Sequence, residues 1–552
     1  MAEKWWKERV FYQIYPRSFQ DSNGDGIGDL RGIISRLDYL SWLGIGAIWL
    51  CPVYDSPNDD NGYDIRNYEK IMSDFGTMED FRGLLQEMHK RDIKLVMDLV
   101  VNHSSDEHSW FVESRSSRDN HYRDYYIWRD GKNGGPPNNW ASHFCPSAWK
   151  YDSQTDQYYL HLFSEKQPDL NWENPELRNE IYRMINRWFD LGIDGFRMDV
   201  INLIAKDAGL PDGEGIVNSQ GNVLAHEHFA NRPQLSVYMK EMRQRCYEGR
   251  DCLRLGETPF TSVKECGRFV SEEDGLFDMV FPFEMMEIDD GPGGKYDLGQ
   301  WTTDAFLKFS SEWQAATANG WASLFWSNHD QARPVSRFGC TDCEELRTRS
   351  ATMLAAALYL QRGTPFIFQG EELGMTNVPF PDAAFLRDIE AFNILSEWKQ
   401  LGKEEKAWLG ILHKGRDNAR TPMQWDDSKN AGFSSGDPWI FVNPNYPYIN
   451  AAAEQADDQS VLNFYRRLID LRKNNHALLY GDCTFLDMET DDVICYSRIE
   501  GETVFTVLCN MGGKSGKVTA IPKGEIVLGN CGETLTPDIL LPYEARVYCW
   551  EG

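Results

Sequence analysis

In the stretch Gly195-Phe196-Arg197-Met198-Asp199-Val200 an arginine stands two residues before a carboxylate. Side chains alternate along an extended strand, so Arg197 and Asp199 leave on one face, with Phe196, Met198 and Val200 largely on the other. A guanidinium at that spacing favours the ionised carboxylate, which is what a nucleophile requires and the reverse of what an acid catalyst requires. A buried structural ion pair has the same spacing, so the choice between the two depends on the rest of the chain.

Two further carboxylates bear on it. Glu257 lies in Leu255-Gly256-Glu257-Thr258, where apolar neighbours can desolvate it and raise its pKa towards that of a general acid. Asp330 follows His329. Carboxyl groups with opposed pKa demands are what glycoside hydrolysis needs, about 5 to 5.5 Å apart for retention and roughly 6.5 to 9.5 Å for inversion.

The elements that must position these groups are short apolar runs between amphipathic segments. The runs are Val10 to Tyr15, Ala47 to Val53, Lys94 to Val101, Phe196 to Ile201, Leu253 to Leu255, Phe277 to Phe283, Ser323 to Trp326 and Thr364 to Phe368. Helical spacing lies between most of them, as in Leu30 to Leu43, Met78 to Arg91 and Pro175 to Leu191. Eight strands alternating with helices predict an α/β fold, a parallel (β/α)8 TIM barrel. Asp60, Tyr63, Asn102, His103, Asp199, Glu257, His329, Asp330, Gln369 and Glu371 all fall at or beyond the C-terminal end of a run, the face where such barrels build sites.

Residues 104–174, rich in aromatics, Asn, Pro and Gly, are too long for a simple loop and predict an inserted subdomain after strand 3. That divides the chain into a barrel of 1–103 and 175–479, the insert, and a C-terminal antiparallel β-sandwich over 480–552, where alternating runs replace the helical pattern. The net charge of −29 argues against nucleic acid or an anionic membrane as partner. The start MAEKWWKERV has no apolar leader region and no long apolar run follows, so the expectation is a cytoplasmic, monomeric protein acting on a small neutral substrate. Twelve scattered cysteines suit reduced thiols, Cys340 and Cys343 forming a plain loop pair. Aromatics at 13% suit sugar stacking.

Asp98-Leu99-Val100-Val101-Asn102-His103, Gly195 to Asp199, Gly256-Glu257 and Ser327-Asn328-His329-Asp330 resemble, in order and spacing, the four signature regions of the α-amylase family, glycoside hydrolase family 13. The resemblance implies a retaining double displacement with Asp199 as nucleophile, Glu257 as acid/base and Asp330 as the carboxylate that grips ring hydroxyls. It places His103, His329 and Arg197 around the terminal glucose. Gln167-Pro168-Asp169-Leu170-Asn171, Asp60 to Asp64 and Gly415 to Pro422 resemble marks of the oligo-1,6-glucosidase group. There the positions matching Asp60 and Arg416 close the pocket on the terminal hydroxyl, and those matching Tyr63 and Phe163 form aromatic wall. Val200 is the residue type that accompanies α-1,6 linkages.

Asp21-Ser22-Asn23-Gly24-Asp25-Gly26-Ile27-Gly28-Asp29 sets oxygen ligands at alternate positions with glycines that allow a tight wrap, as hard Ca²⁺ demands. Mg²⁺ or an empty Asx-rich turn fits the same residues. Similar enzymes hold structural Ca²⁺ with the side chains matching Asp21, Asn23, Asp25 and Asp29 and the carbonyl matching Ile27. No organic cofactor is expected. The function implied is an exo-acting α-glucosidase for isomaltose-type substrates. Same-fold alternatives are α-1,4-active glucosidases, trehalose-6-phosphate hydrolases and sucrose isomerases, and outside catalysis an inactive sugar-binding or transporter-associated relative.

Overall fold

The computed structural model describes residues 4–551 apart from 219, 489, 491, 520 and 533–535. Eight parallel strands form the centre: β1 Phe11–Ile14, β2 Ala47–Leu50, β3 Lys94–Val100, β4 Gly195–Asp199, β5 Leu253–Thr258, β6 Met279–Pro282, β7 Ser323–Leu324 and β8 Thr364–Phe368. Their order is β6-β5-β4-β3-β2-β1-β8-β7. The two ends of this row meet where the Ser323 hydroxyl donates to the Val280 carbonyl at 2.6 Å and Phe281 lies edge-on to Phe325.

Alternation decides what fills the barrel. Phe11, Ala47, Trp49, Val96, Leu253, Leu255, Met279, Phe281, Phe325 and Phe366 cluster inside it. Phe196 and Met198 belong to the larger core shared with the surrounding helices. Register then sets the polar rows, because Asp98 lies beside Arg197, and Val100 beside Asp199, across the β3/β4 pair. Gly195 is required at the narrow start of β4, where a Cβ would come within 2.7 Å of the Leu253 carbonyl oxygen.

The helical reading holds at Met78–Lys90 and Pro175–Leu191. The first helix differs: it is two helices, Leu30–Ser35 and Leu37–Leu43, broken at Arg36. There Arg36 turns its guanidinium onto Trp425, 4.1 Å from the ring centre, and donates to Gln20. Apolar spacing runs unbroken through this point, so periodicity alone misses the break.

After β3 the chain makes helix Ser109–Ser116 and a small sheet of Trp128–Arg129, Gln157–Leu160 and Trp149–Asp152. It returns to the barrel where Leu170 N–H donates to the Asn102 carbonyl at 2.9 Å. A buried ion pair secures this seam, with Lys206 Nζ 2.7 Å from Asp169 and 3.0 Å from the Asn102 amide oxygen. The C-terminal part is a five-stranded antiparallel sheet with a two-stranded ribbon. Val518 and Leu540 pack against Val493, Cys495, Leu508 and Tyr548 there.

Candidate active site

At the C-terminal ends of the barrel strands Arg197, only 1% exposed, holds three carboxylates. Its Nη1 lies 2.7 Å from Asp199 and 2.8 Å from Asp98, and its Nη2 contacts Glu257. Trp49 lies under the guanidinium at 4.9 Å. The sequence reading that this arginine singles out Asp199 is therefore corrected, because it serves Asp98 and Glu257 as well. Burial pushes Asp199 well above the usual carboxylate range, with Glu257 and Asp98 adding to the rise and Arg197 opposing it. Glu257 is also raised, by burial first and against Arg197, and there the negative charge of Asp330 contributes.

One guanidinium among three buried carboxylates leaves excess negative charge, which a shared proton relieves. Asp330 biases where that proton sits. Burial acts to raise it, but His329, Arg416 and Arg420 outweigh burial and hold it below the usual range. Arg420 Nη2 is 2.7 Å and Arg416 Nη1 is 3.2 Å from its Oδ1. An ionised Asp330 raises the proton affinity of Glu257, while burial raises Asp199 as well, so the two carboxyls are both shifted upward rather than in opposite directions.

Val200 is a second correction. It lies past the end of β4 with φ 34 and ψ 40, and its N–H donates to Glu257 Oε2 at 3.1 Å. Its side chain joins Leu203, Leu224, Phe163 and Phe260 rather than the core behind Met198.

The remaining residues close one end of the cavity. Asp60 is 6% exposed, and Arg416 Nη2 lies 3.3 Å from its Oδ1. Burial raises Asp60 to about 6 even though Arg416 and Arg420 oppose it. Tyr63 stacks on His329 at 5.0 Å with parallel rings and donates to Asp98 at 3.0 Å. Phe163 sits 5.1 Å from the His103 ring. Burial takes His103 down to about 4 and His329 to about 3, so both imidazoles are neutral hydrogen-bonding groups near pH 7. Gln13 lies 2.9 Å from His329 Nδ1. The residues expected from the sequence, apart from the distant metal loop, thus form one connected set of contacts at the strand ends.

Some contributors were not expected from sequence. Asp98 was quoted only as part of a motif, although its register opposite Arg197 was a signal. Gln167 donates to Asp60 at 3.2 Å, and Arg420 and Asp388 hold Asp330 and Arg416 respectively. Phe144 lies 5.1 Å from the Arg416 guanidinium. No local spacing marks Asp388 or Phe144, which reach the site through loops.

In the loop of residues 21–29 the Asp21 carboxylate accepts from Asn23 N, Gly24 N, Gly26 N and Ser434 Oγ. Asp29 accepts from Ser22 and Gly32, and Asp25 from Ile27 N. The wrap is the expected one, and Gly26 at φ 88 leaves no room for a Cβ, which would lie 1.9 Å from the Asp437 carbonyl oxygen. A cation fits the alternating oxygens only by displacing some of these donors. Among the described residues no three His, Cys, Asp or Glu side chains converge as a metal-binding group.

The family described as Alpha amylase, catalytic domain, matches residues 13–481. An oligo-1,6-glucosidase of Parageobacillus thermoglucosidasius is 50% identical over 561 residues, covering 99% of each chain. The solved trehalose-6-phosphate hydrolase of Bacillus licheniformis is 41% identical with a TM-score of 0.93, covering 99% of this chain and 100% of that one. The isomaltulose synthase of Protaminobacter rubrum is 41% identical with a TM-score of 0.95, covering 100% of both. With its barrel, its three clustered carboxylates and this match over most of its length, the chain belongs to the α-amylase family, glycoside hydrolase family 13.

Proposed function

We propose that the protein is an exo-acting, retaining α-glucosidase that releases α-1,6-linked glucose from the non-reducing ends of isomalto-oligosaccharides. The observation that carries this reading is Arg416 spanning Asp60 and Asp330 at 3.3 and 3.2 Å, an acid and a base bridged beside the clustered carboxylates. A pocket closed by an acid and a base accepts a chain end and no chain interior. The names of relatives at 50 and 53% identity support the linkage, against 44% for a trehalose-6-phosphate hydrolase and 41% for the isomaltulose synthase.

In the first displacement Asp199 attacks the anomeric carbon while Glu257 gives its proton to the departing glycosidic oxygen, leaving glucose esterified to Asp199. Glu257, now a carboxylate, takes a proton from water, which attacks the same carbon and frees Asp199. Asp199 and Glu257 occupy adjacent arms of one guanidinium, which favours the short separation of retention. Asp330, charged throughout, accepts from ring hydroxyls and stabilises the developing positive charge.

The cleft outside the cavity is lined by Phe144, Ile216, Val217, Tyr296, Asn393, Glu390 and Glu397 among others, with no Lys or Arg among its described lining residues. Initial rates on isomaltose, maltose, sucrose and trehalose-6-phosphate test the reading; a preference for anything but isomaltose overturns it.

We further propose Ca²⁺ in the loop of residues 21–29, held by Asp21, Asn23, Asp25, Asp29 and the Ile27 carbonyl in a purely structural role. Chelation lowers the melting temperature if this is right. An unchanged melting curve leaves the loop as a hydrogen-bonded bracket on residues 433–439. No helix among the described residues is long and apolar enough to cross a membrane, and all twelve cysteines are free. The free cysteines support a reducing cytoplasm as the compartment, and we propose a monomer with small sugars as its partners.

A further inference from the structure

Arg416 is held more tightly from behind the pocket than from within it. Its Nη2 lies 2.6 Å from Asp388 Oδ1, and its Nε lies 3.0 and 3.1 Å from the two Asp388 oxygens. The contacts to Asp60 and Asp330, at 3.3 and 3.2 Å, are longer. Asp388 is fully buried. We propose that Asp388 is a positioning residue that draws Arg416 towards itself, so that the Arg416 hydrogen bonds to Asp60 Oδ1 and Asp330 Oδ1 stay long and can yield to sugar hydroxyls. This rests on the reading of the pocket as the terminal-glucose site.

The argument is one of competition. A guanidinium has five donors in a fixed fork, and a buried carboxylate prefers the shortest charge-assisted pairing on offer. Without Asp388 the anions within reach of Arg416 are Asp330, Asp60 and Glu390, at 3.2, 3.3 and 3.4 Å, and the first two face the sugar site. Closing on them would consume the acceptors that recognise glucose. The surrounding structure fixes Asp388 where it is needed. Asp417, next to Arg416 in sequence, accepts from the backbone N–H of Arg387 at 2.7 Å and of Asp388 at 3.1 Å. Asp388 also caps the helix Ile389–Gln400 by accepting from Glu390 N at 2.9 Å. Phe144 covers the other face of the guanidinium. Two adjacent pairs, 387–388 and 416–417, thereby grip each other reciprocally.

Asp388→Asn tests this, because asparagine caps a helix as well as aspartate and removes only the charge. Expected are a KM for isomaltose and an inhibition constant for glucose raised roughly ten- to a hundredfold, the weight of one charge-assisted hydrogen bond, with a smaller change in kcat. Arg416→Ala is expected to raise both constants as well, and Asp388→Asn in that background to add nothing. Wild-type constants in folded Asp388→Asn, or fully additive effects, overturn the proposal. So does a variant that fails to fold while Asp388→Ser, which retains capping ability, folds and binds glucose normally; if neither folds, Asp388 is a structural cap and the proposal fails. If Arg416→Ala itself leaves KM and glucose inhibition unchanged, the terminal-glucose reading fails instead.

Discussion

The backbone N–H of Val200 donates to the Glu257 carboxylate at 3.1 Å, so the residue that follows Asp199 in sequence also holds the acid on the neighbouring strand. To do so Val200 adopts φ 34, a conformation that costs a β-branched residue of order 1–3 kcal/mol. Its side chain belongs to the apolar cluster that contains Leu203, with Phe163 packed against it. Val200→Thr keeps the branch and the backbone while adding a hydroxyl. The ratio of isomaltose to maltose kcat/KM is expected to fall by roughly tenfold. An unchanged ratio removes Val200 from specificity.

The acid limb and the alkaline limb of activity have separate origins. Glu257 must be protonated to act, and the charge of Asp330 helps keep it so. In Asp330→Asn the residual activity is expected to lose its alkaline limb at lower pH than wild type, because a lower Glu257 pKa surrenders the proton sooner. A limb that stays in place or moves to higher pH contradicts the assignment of the proton to Glu257.

Asp60 contributes through the terminal hydroxyl. Asp60→Ala is expected to reduce kcat/KM for isomaltose roughly a hundredfold or more, since a buried site built for a hydroxyl loses its partner. Burial raises Asp60 to about 6, so wild-type kcat/KM is expected to fall below that pH as the carboxylate takes up a proton. Both appear in steady-state kinetics across a pH series.

The seam between barrel and insert depends on Lys206 and Asp169, whose side chains are both buried. Lys206→Met leaves Asp169 without its cation and is expected to destabilise by about 3–5 kcal/mol. Denaturant titration measures it. A loss under about 1 kcal/mol places the anchorage of the insert elsewhere.

Stability is expected to fall as pH rises from about 6.5 to 8, above the range in which the buried histidines, lowered to about 4 and 3 at His103 and His329, act with the opposite sign. Burial raises Asp64, Glu287 and Glu371 to about 7, and Asp60 and Asp417 to about 6. These groups bind protons more tightly folded than unfolded, so their contribution is complete below about pH 4 and is lost as pH passes through the folded values. A melting temperature that climbs over this window contradicts the sign.

The barrel was legible because its strands are short apolar runs and its chemistry lies at their ends; β8 matches its run residue for residue. The reactive carboxylates were legible for the same reason. What alternation could not give was sharing. That Arg197 serves three carboxylates follows from the β3/β4 register, and that Val200 leaves the strand follows from its N–H meeting Glu257. Asp388 and Phe144 were invisible because each lies on a connection whose path only folding fixes. The break at Arg36 escaped because apolar spacing continues through it while a distant tryptophan holds the side chain.

The most direct test of the account is the rate of glucose release from isomaltose by Asp199→Asn, alongside its melting curve. The prediction is a wild-type melting transition with activity reduced by four orders of magnitude or more, roughly the cost of removing a covalent nucleophile. A folded variant hydrolysing isomaltose within about tenfold of wild type would show that the sugar is never esterified to Asp199.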